Sequence, residues 1–114
     1  MEGTWDVYSL KVTKSTGLSY YYDNVGTVTY SDFNNGEGNY AFNMSYTTSS
    51  GTVTNQESGK VLLKDDGKYY DLQRDNGDGT FTTLPEGRII LITNNDIKTA
   101  YQDNAETYLL ILEK

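Results

Sequence analysis

Turn signals recur about every ten residues along this chain, and this spacing constrains the fold more than any other feature. Asn34-Asn35-Gly36 and Asp65-Asp66-Gly67 are the clearest, because Asn, Asp and Gly tolerate the positive φ that tight hairpins require. Evenly spaced short segments between turns are typical of an antiparallel sandwich or barrel. We therefore predict a single all-β domain over residues 1–114.

Hydrophobic alternation marks the strands between these turns. Tyr40, Phe42, Met44 and Tyr46 alternate with small or polar residues, a period of two that predicts a strand with one buried face. The aliphatic run 89–92 is predicted to be buried as well. We expect about eight or nine antiparallel strands. The strand-like segments are 4–13, 19–30, 40–46, 52–57, 60–64, 69–72, a short one around Phe81, 88–93, 97–102 and 107–113.

The C-terminal segment has two interpretations. Its apolar residues from Ile97 to Leu112 also fit the spacing of an amphipathic helix. The Asp103-Asn104 pair favours a turn, and the β-favouring Thr107-Tyr108 favours a following strand. Both readings stay open, and the hairpin is preferred.

Composition excludes several kinds of chemistry. The chain has no His and no Cys, which removes the usual zinc ligands, the neutral-pH proton shuttle and any disulfide. A formal charge of −7 repels nucleic acid. No apolar run approaches the roughly 20 residues that span a bilayer. We therefore predict no cofactor, no nucleic-acid partner and no transmembrane segment.

One acidic loop has the spacing of a calcium site. Asp75 and Glu86 stand at the first and twelfth positions of such a loop, but Thr80 holds the position that requires glycine. Strands rather than helices are predicted on both sides. No metal site is therefore predicted.

The triplet Gly3-Thr4-Trp5 at the head of the first strand is the most informative motif. Glycine lets the chain enter a barrel closely, and a tryptophan at a strand start can plug its end. Residues 58–72 add a strand, an Asp-Gly turn and a strand, and residues 88–97 add an apolar strand followed by a polar turn. Together these motifs resemble the lipocalin-like domains of the calycin superfamily, above all the short ones carried by secreted lipoproteins of gut Bacteroidetes.

This resemblance implies an antiparallel up-and-down barrel, closed or half-open, of about eight strands. It implies that Gly3 and Trp5 are structural, and that a basic residue packs over Trp5, for which Arg88 is the candidate. It also implies a place outside the cytoplasm, in the periplasm or on the cell surface, as a lipoprotein without its leader. The chain is shorter than true lipocalins and lacks the helix that follows their barrel, so its own side chains can fill the interior.

The function implied is a non-catalytic binding module of the bacterial cell envelope that holds a small apolar molecule or a glycan in the barrel. An alternative is a protein–protein interaction or protease-inhibitor-like calycin domain with a filled barrel and an exposed aromatic patch at residues 20–22. No enzymatic activity is predicted. Most of the 11 tyrosines are interpreted as sheet residues, because consecutive ones face opposite sides. The candidate ligand-binding residues, which are also predicted core, are Trp5, Tyr40, Phe42, Met44, Tyr70 and Leu110.

Overall fold

The computed structural model describes all residues 1–114 and consists of antiparallel β-strands joined by short turns. The strands are β1 (Gly3–Thr13), β2 (Ser19–Asn34), β3 (Glu37–Thr48), β4 (Gly51–Lys64), β5 (Tyr69–Asp75), β6 (Phe81–Thr83), β7 (Gly87–Ile92), β8 (Asp96–Asp103) and β9 (Glu106–Glu113). They form one sheet in the order β4-β3-β2-β1-β9-β8-β7-β5-β6, which the β4–β5 pairing closes into a ring. The short β6 pairs with the end of β5 on the edge that β7 also uses, opposite β4. The predicted all-β antiparallel barrel of about eight strands is therefore confirmed.

The two ends of the barrel differ, and we name them for that difference. The plugged end is where β1 begins, with Trp5 inside. The open end is where β1 ends and β2 begins. Inward-facing side chains form one hydrophobic cluster that runs from the plugged end through the middle of the barrel. The alternation of buried and exposed residues along β3, from Gly38 to Met44, shows how the period of two builds this cluster.

The C-terminal segment is a hairpin, so the helical alternative was wrong. β8 pairs with β9 from Asp96–Glu113 to Asp103–Glu106. Asn104 and Ala105 take φ values of 51° and 64° in the turn, the left-handed conformation that a two-residue hairpin loop requires. The Asn34–Gly36 turn has the same geometry, with Asn35 at φ 53° and Gly36 at φ 81°. Local turn chemistry therefore decides the Asn35-Gly36 hairpin. In the second turn it favours Asn104 only, and Ala105 is held at its unfavourable φ by the pairing of β8 with β9.

Two sequence-based expectations about strands were wrong. Segments 52–57 and 60–64 belong to one continuous strand, β4, because Ser58-Gly59 stays extended. The aliphatic run 89–92 is not buried as a whole: Ile89 packs partly buried against the core, but Ile90, Leu91 and Ile92 expose 42%, 50% and 49% of their surface. The reason is that β7 meets β5 through only two residue pairs, so its second half lies beyond the β5 wall.

Candidate functional site

The six predicted ligand-binding residues lie inside the hydrophobic cluster. Trp5 and Leu110 are 1% exposed, and the others are no more than 4% exposed. Their side chains pack against one another in the interior, and Tyr40 and Phe42 also border open surface concavities of about 350 and 470 Å³. Their role in ligand binding stays a prediction, and their role as core is what the structure describes.

Trp5 closes the plugged end. Its indole Nε1 donates a hydrogen bond to the backbone carbonyl of Met1 at 2.8 Å. The ammonium of Lys114 lies 4.9 Å from the centre of the Trp5 ring and donates to the carbonyl of Glu2 at 3.0 Å. A Cβ on Gly3 would stand 2.9 Å from the Lys114 Nζ, so glycine leaves room for this cation. The motif Gly-x-Trp and a covering cation therefore form one unit.

The cation over Trp5 is Lys114, and the choice of Arg88 was wrong. Arg88 is exposed on β7, where it pairs with Tyr69 and Ala100. The register of β1 with β9, in which Asp6 faces Glu113, places the following residue, Lys114, beside Trp5. The sequence signal was available in the pairing of the first and last strands. The sequence-based choice considered only arginines and therefore missed Lys114.

A chain of aromatic rings fills the middle of the barrel. Tyr40 contacts Phe42 with ring centres 4.8 Å apart, Phe42 contacts Tyr101 at 5.6 Å, and Tyr101 stacks on Tyr108 at 5.1 Å. Burial raises the pKa of Tyr101 well above its ordinary value, and nearby carboxylates raise it further. Burial raises the pKa of Tyr70 to about 12, although its hydrogen bond with Thr99 opposes that shift. These hydroxyls are therefore neutral at physiological pH.

On the open-end side of this aromatic layer, side-chain contacts connect strands of the barrel that are not joined by backbone hydrogen bonds. Arg74 on β5 donates from Nη1 to Asp103 on β8 at 3.1 Å, and its Nε lies 3.8 Å from Glu57 on β4. The Tyr40 hydroxyl donates to the same Glu57 carboxylate at 3.1 Å. Glu57 is almost buried, with 8% of its side chain exposed. These contacts hold β4, β5 and β8 together where no backbone ladder joins β4 to β8.

The strands β2 and β3 separate towards the open end. Their pairing stops at Gly26–Met44, and β2 continues only against β1 while β3 continues only against β4. A Cβ on Gly26 would lie 2.0 Å from the carbonyl oxygen of Asn43, so the two backbones touch at this point. Beyond it, the β1–β2 and β3–β4 hairpins diverge like two arms.

The space between these arms is the main concavity of the molecule, a half-open cleft of about 560 Å³. At its base the rings of Tyr22 and Tyr46 meet with their centres 4.5 Å apart. Lys14 lies at the rim, where its ammonium is held by Glu106 at 2.9 Å. Burial raises the pKa of Tyr46, and Tyr22 adds to the shift. The lining residues are Val12, Lys14, Tyr20, Tyr22, Tyr46, Thr47, Thr48, Ser49, Ser50 and Val53.

Comparison with known proteins finds no match for this chain among protein-family models, curated proteins or solved structures. The cleft is therefore interpreted from its own chemistry.

The acidic loop has its carboxylates engaged within itself. Asp75 Oδ1 accepts the backbone N–H of Gly77 at 2.8 Å, and Asp78 Oδ1 accepts that of Thr80 at 3.0 Å. Glu86 points away and pairs with Lys64. No group of three or more acidic side chains is arranged to hold a metal ion. The fold also contains no helix with the length and apolarity needed to cross a bilayer.

Sequence reasoning found part of the cleft. Tyr20 and Tyr21 are 44% and 68% exposed, as expected for the aromatic patch of the alternative hypothesis. Tyr22 was expected in the same exposed patch and is instead half-buried against Tyr46. Tyr46 was interpreted as part of the alternating face of β3, and it continues that alternation. Nothing in that pattern shows that β3 has left β2 before Tyr46. The cleft follows from where pairing stops, which period-two alternation does not encode.

Proposed function

We propose that this protein is a non-catalytic binding module that holds a glycan in the cleft at the open end of its barrel. The observation that carries the proposal is the pairing of Tyr22 and Tyr46 at the base of a cleft rimmed by hydroxyl groups. A volume of about 560 Å³ is in the range of small-molecule sites and accommodates a short oligosaccharide.

The chemistry of the lining favours a sugar over a purely apolar molecule. Tyrosine rings offer flat apolar faces for the C–H faces of a sugar, with a hydroxyl that donates and accepts hydrogen bonds. Thr47 and two serines supply further hydroxyls on one wall, whereas the Thr48 hydroxyl donates to the Gly51 carbonyl within the turn. Lys14 is already paired with Glu106, so the rim carries no free cation that would select an anionic ligand.

The lining also supports binding without catalysis. Enzymes that hydrolyse glycosides use two carboxyl groups on either side of the scissile bond. The residues that line this cleft include no Asp and no Glu. The Tyr46 hydroxyl stays protonated at neutral pH because burial raises its pKa, so it acts as a donor rather than a base. A place in the bacterial cell envelope fits this proposal and rests on the resemblance to secreted lipocalin-like domains.

The test is a titration with neutral trisaccharides, namely maltotriose, cellotriose, xylotriose and chitotriose, with decanoate as the apolar competitor class. Binding is followed by NMR of the tyrosine ring signals, because Trp5 lies about 23 Å away along β1 and would not report on the cleft. We expect at least one sugar to shift Tyr22 and Tyr46, with a Kd between about 10 μM and 1 mM.

Two variants with a matched control locate the site. Tyr46→Ala and Tyr22→Ala should each weaken sugar binding by about tenfold, since each removes one stacking face. Tyr21→Ala removes an adjacent tyrosine that is 68% exposed and does not line the cleft, and it should change the affinity by less than about twofold. If decanoate bound and none of the sugars did, the ligand would be an apolar molecule and the glycan proposal would be wrong. Sugar binding that Tyr21→Ala weakens as much as Tyr46→Ala would place the site elsewhere.

A further inference from the structure

The β3–β4 hairpin leaves the barrel wall on both of its sides. On one side, β3 loses β2 beyond the Gly26–Met44 pair. On the other side, β4 pairs with β5 only from Gly59, where a Cβ would stand 1.9 Å from the carbonyl oxygen of Gln73. Residues 45–58 therefore form a two-stranded ribbon with two free backbone edges. The β4 edge, residues 51–58, is the longer one, and only Val53 of these residues lines the cleft.

This edge lacks the features that normally prevent strands from pairing with other molecules. Natural edge strands are protected by charged side chains, prolines or bulges. Between Glu37 and Lys60 the only charged residue is Glu57, although 22% of the whole chain is charged. The only proline is Pro85, and the β3–β4 register runs without a shift from Glu37–Leu62 to Thr48–Gly51. The edge has no bulge, and its one charged side chain, Glu57, is 8% exposed and lies against Arg74, so no solvated charge protects it.

The edge also complements itself. In antiparallel pairing, opposed residues must lie on the same face, so a two-fold axis passes through a residue of the strand. With the axis at Thr54, the outward-facing Thr52 of one copy meets Gln56 of the other, and Thr54 meets Thr54. Cross-strand threonine pairs stabilise a sheet, and no like charges oppose each other in this register. The exposed Val53, 39% accessible, would meet Asn55 on the inner face.

Charge explains why this edge, rather than another surface, suits a second copy. Each chain carries a net charge of −7, so two copies repel each other over most of their surfaces. Residues 51–56 of the ribbon carry no charge, so two copies can approach there without opposing charges. We propose that two copies of this protein associate through antiparallel pairing of the β4 edges, residues 51–58, which continues the sheet from one barrel to the other. Of residues 51–58 only Val53 lines the cleft, and Tyr22 and Tyr46 lie outside this edge, so the contact leaves the proposed glycan-stacking rings free.

The test is the mass in solution, measured by light scattering or sedimentation from about 10 μM to about 1 mM protein. We expect a concentration-dependent dimer that strengthens as salt rises, because salt screens the repulsion between the two acidic chains. Thr54→Lys should weaken the dimer at least tenfold, since it places two ammonium groups beside the axis. Ser45→Lys adds the same charge to the residue paired with Thr54 inside the hairpin, one strand away from the edge, and should leave the dimer constant within about twofold.

Amide hydrogen exchange shows where the contact lies, and a circular dichroism spectrum shows that each variant is folded. The proposal expects protection that rises with protein concentration in residues 51–58. A monomer over the full concentration range would overturn it. Equal weakening by Ser45→Lys and Thr54→Lys would overturn it too. Concentration-dependent protection confined to the exposed residues 90–92 of β7 would overturn it as well, by moving the contact to that strand.

Discussion

The plugged end and the open end of this barrel are built from the same strands, yet they are held together by different interactions. At the plugged end, backbone ladders run between neighbours, as in the pairs Gly3–Tyr30 and Glu37–Leu62, and Trp5 fills the space they enclose. At the open end the ladders between β2 and β3 and between β4 and β5 stop. There, the ring contact of Tyr22 with Tyr46 and the ion pairs of Arg74 bridge the strands instead.

This difference shows how one small barrel can combine a stable core with a recognition surface. A wall that is paired on both sides buries apolar side chains completely, which stabilises the fold but leaves no room for a ligand. A wall in which hairpins diverge exposes aromatic faces and backbone edges, at a cost in buried area. The glycines at the branch points, Gly26 and Gly59, allow the change from one kind of wall to the other within one residue step.

The largest expected effect contrasts the two ends directly. Trp5→Ala removes a side chain that is 1% exposed and leaves a cavity at the plugged end, so we expect the free energy of unfolding to fall by about 3–5 kcal/mol. Tyr46→Ala at the open end should cost only about 1–2 kcal/mol, because that ring is partly exposed in the cleft. Urea denaturation followed by circular dichroism measures both. Equal losses would show that the two ends contribute alike to stability.

A branch-point glycine should be the next most sensitive position. In Gly26→Ala the new Cβ would lie 2.0 Å from the Asn43 carbonyl oxygen. Residue 26 would also have to keep a φ of 144°, which residues with a side chain rarely adopt. We expect a loss of about 3 kcal/mol, since the strain and the clash add. Gly51→Ala is the matched control, with a φ of 120° and open space around its Cβ, and should cost about 1 kcal/mol. Urea denaturation measures both variants. Similar losses in the free energy of unfolding would show that the close contact with the Asn43 carbonyl is not the reason for glycine at position 26.

Alkaline pH should lower the free energy of unfolding, because tyrosines buried in the plugged half resist ionisation. Burial raises the pKa of Tyr70 to about 12, whereas in the unfolded chain a tyrosine ionises near about pH 10. The unfolded state therefore loses protons that the folded state keeps, so stability is intact below about pH 10 and falls as pH rises towards 12. The raised pKa of Tyr70 alone contributes about 2–3 kcal/mol to the free energy of unfolding, and this contribution is lost as the pH rises from about 10 to about 12.

Urea midpoints measured between about pH 8 and pH 11 test this expectation. Tyr70→Phe should flatten the decline, because phenylalanine does not ionise. A midpoint that is constant up to about pH 11 would contradict the raised pKa as a source of stability.

The smallest effect separates two basic residues. Lys114→Met removes the ammonium over Trp5 and its hydrogen bond to the Glu2 carbonyl, which should cost about 1 kcal/mol. Arg88→Met changes an exposed residue and should stay within about 0.5 kcal/mol of the parent protein. Thermal and urea denaturation of both variants tests the assignment. A larger loss for Arg88→Met would restore the original expectation that arginine covers Trp5.

Local signals predicted much of the fold. The turn at residues 34–36 is encoded by Asn35 and Gly36, which tolerate positive φ, and the turn at 103–106 is encoded in part by Asn104. The burial of Tyr40, Phe42 and Met44 follows their alternation. The pattern was wrong where the answer depended on a neighbour. Residues 89–92 have an apolar pattern typical of a buried strand, but β5 is too short to cover residues 90–92.

By itself, the sequence determined the all-β class, most strand positions, the aromatic core and the plug formed by Gly3 and Trp5, because these follow from turn chemistry and from the period of two. Only the tertiary structure decided where neighbouring strands part, which cation covers Trp5, and that Tyr22 and Tyr46 meet across a cleft. Those features depend on register between segments far apart in the chain. Alternation records which face of a strand is buried, and it carries no record of how far a strand's partner extends.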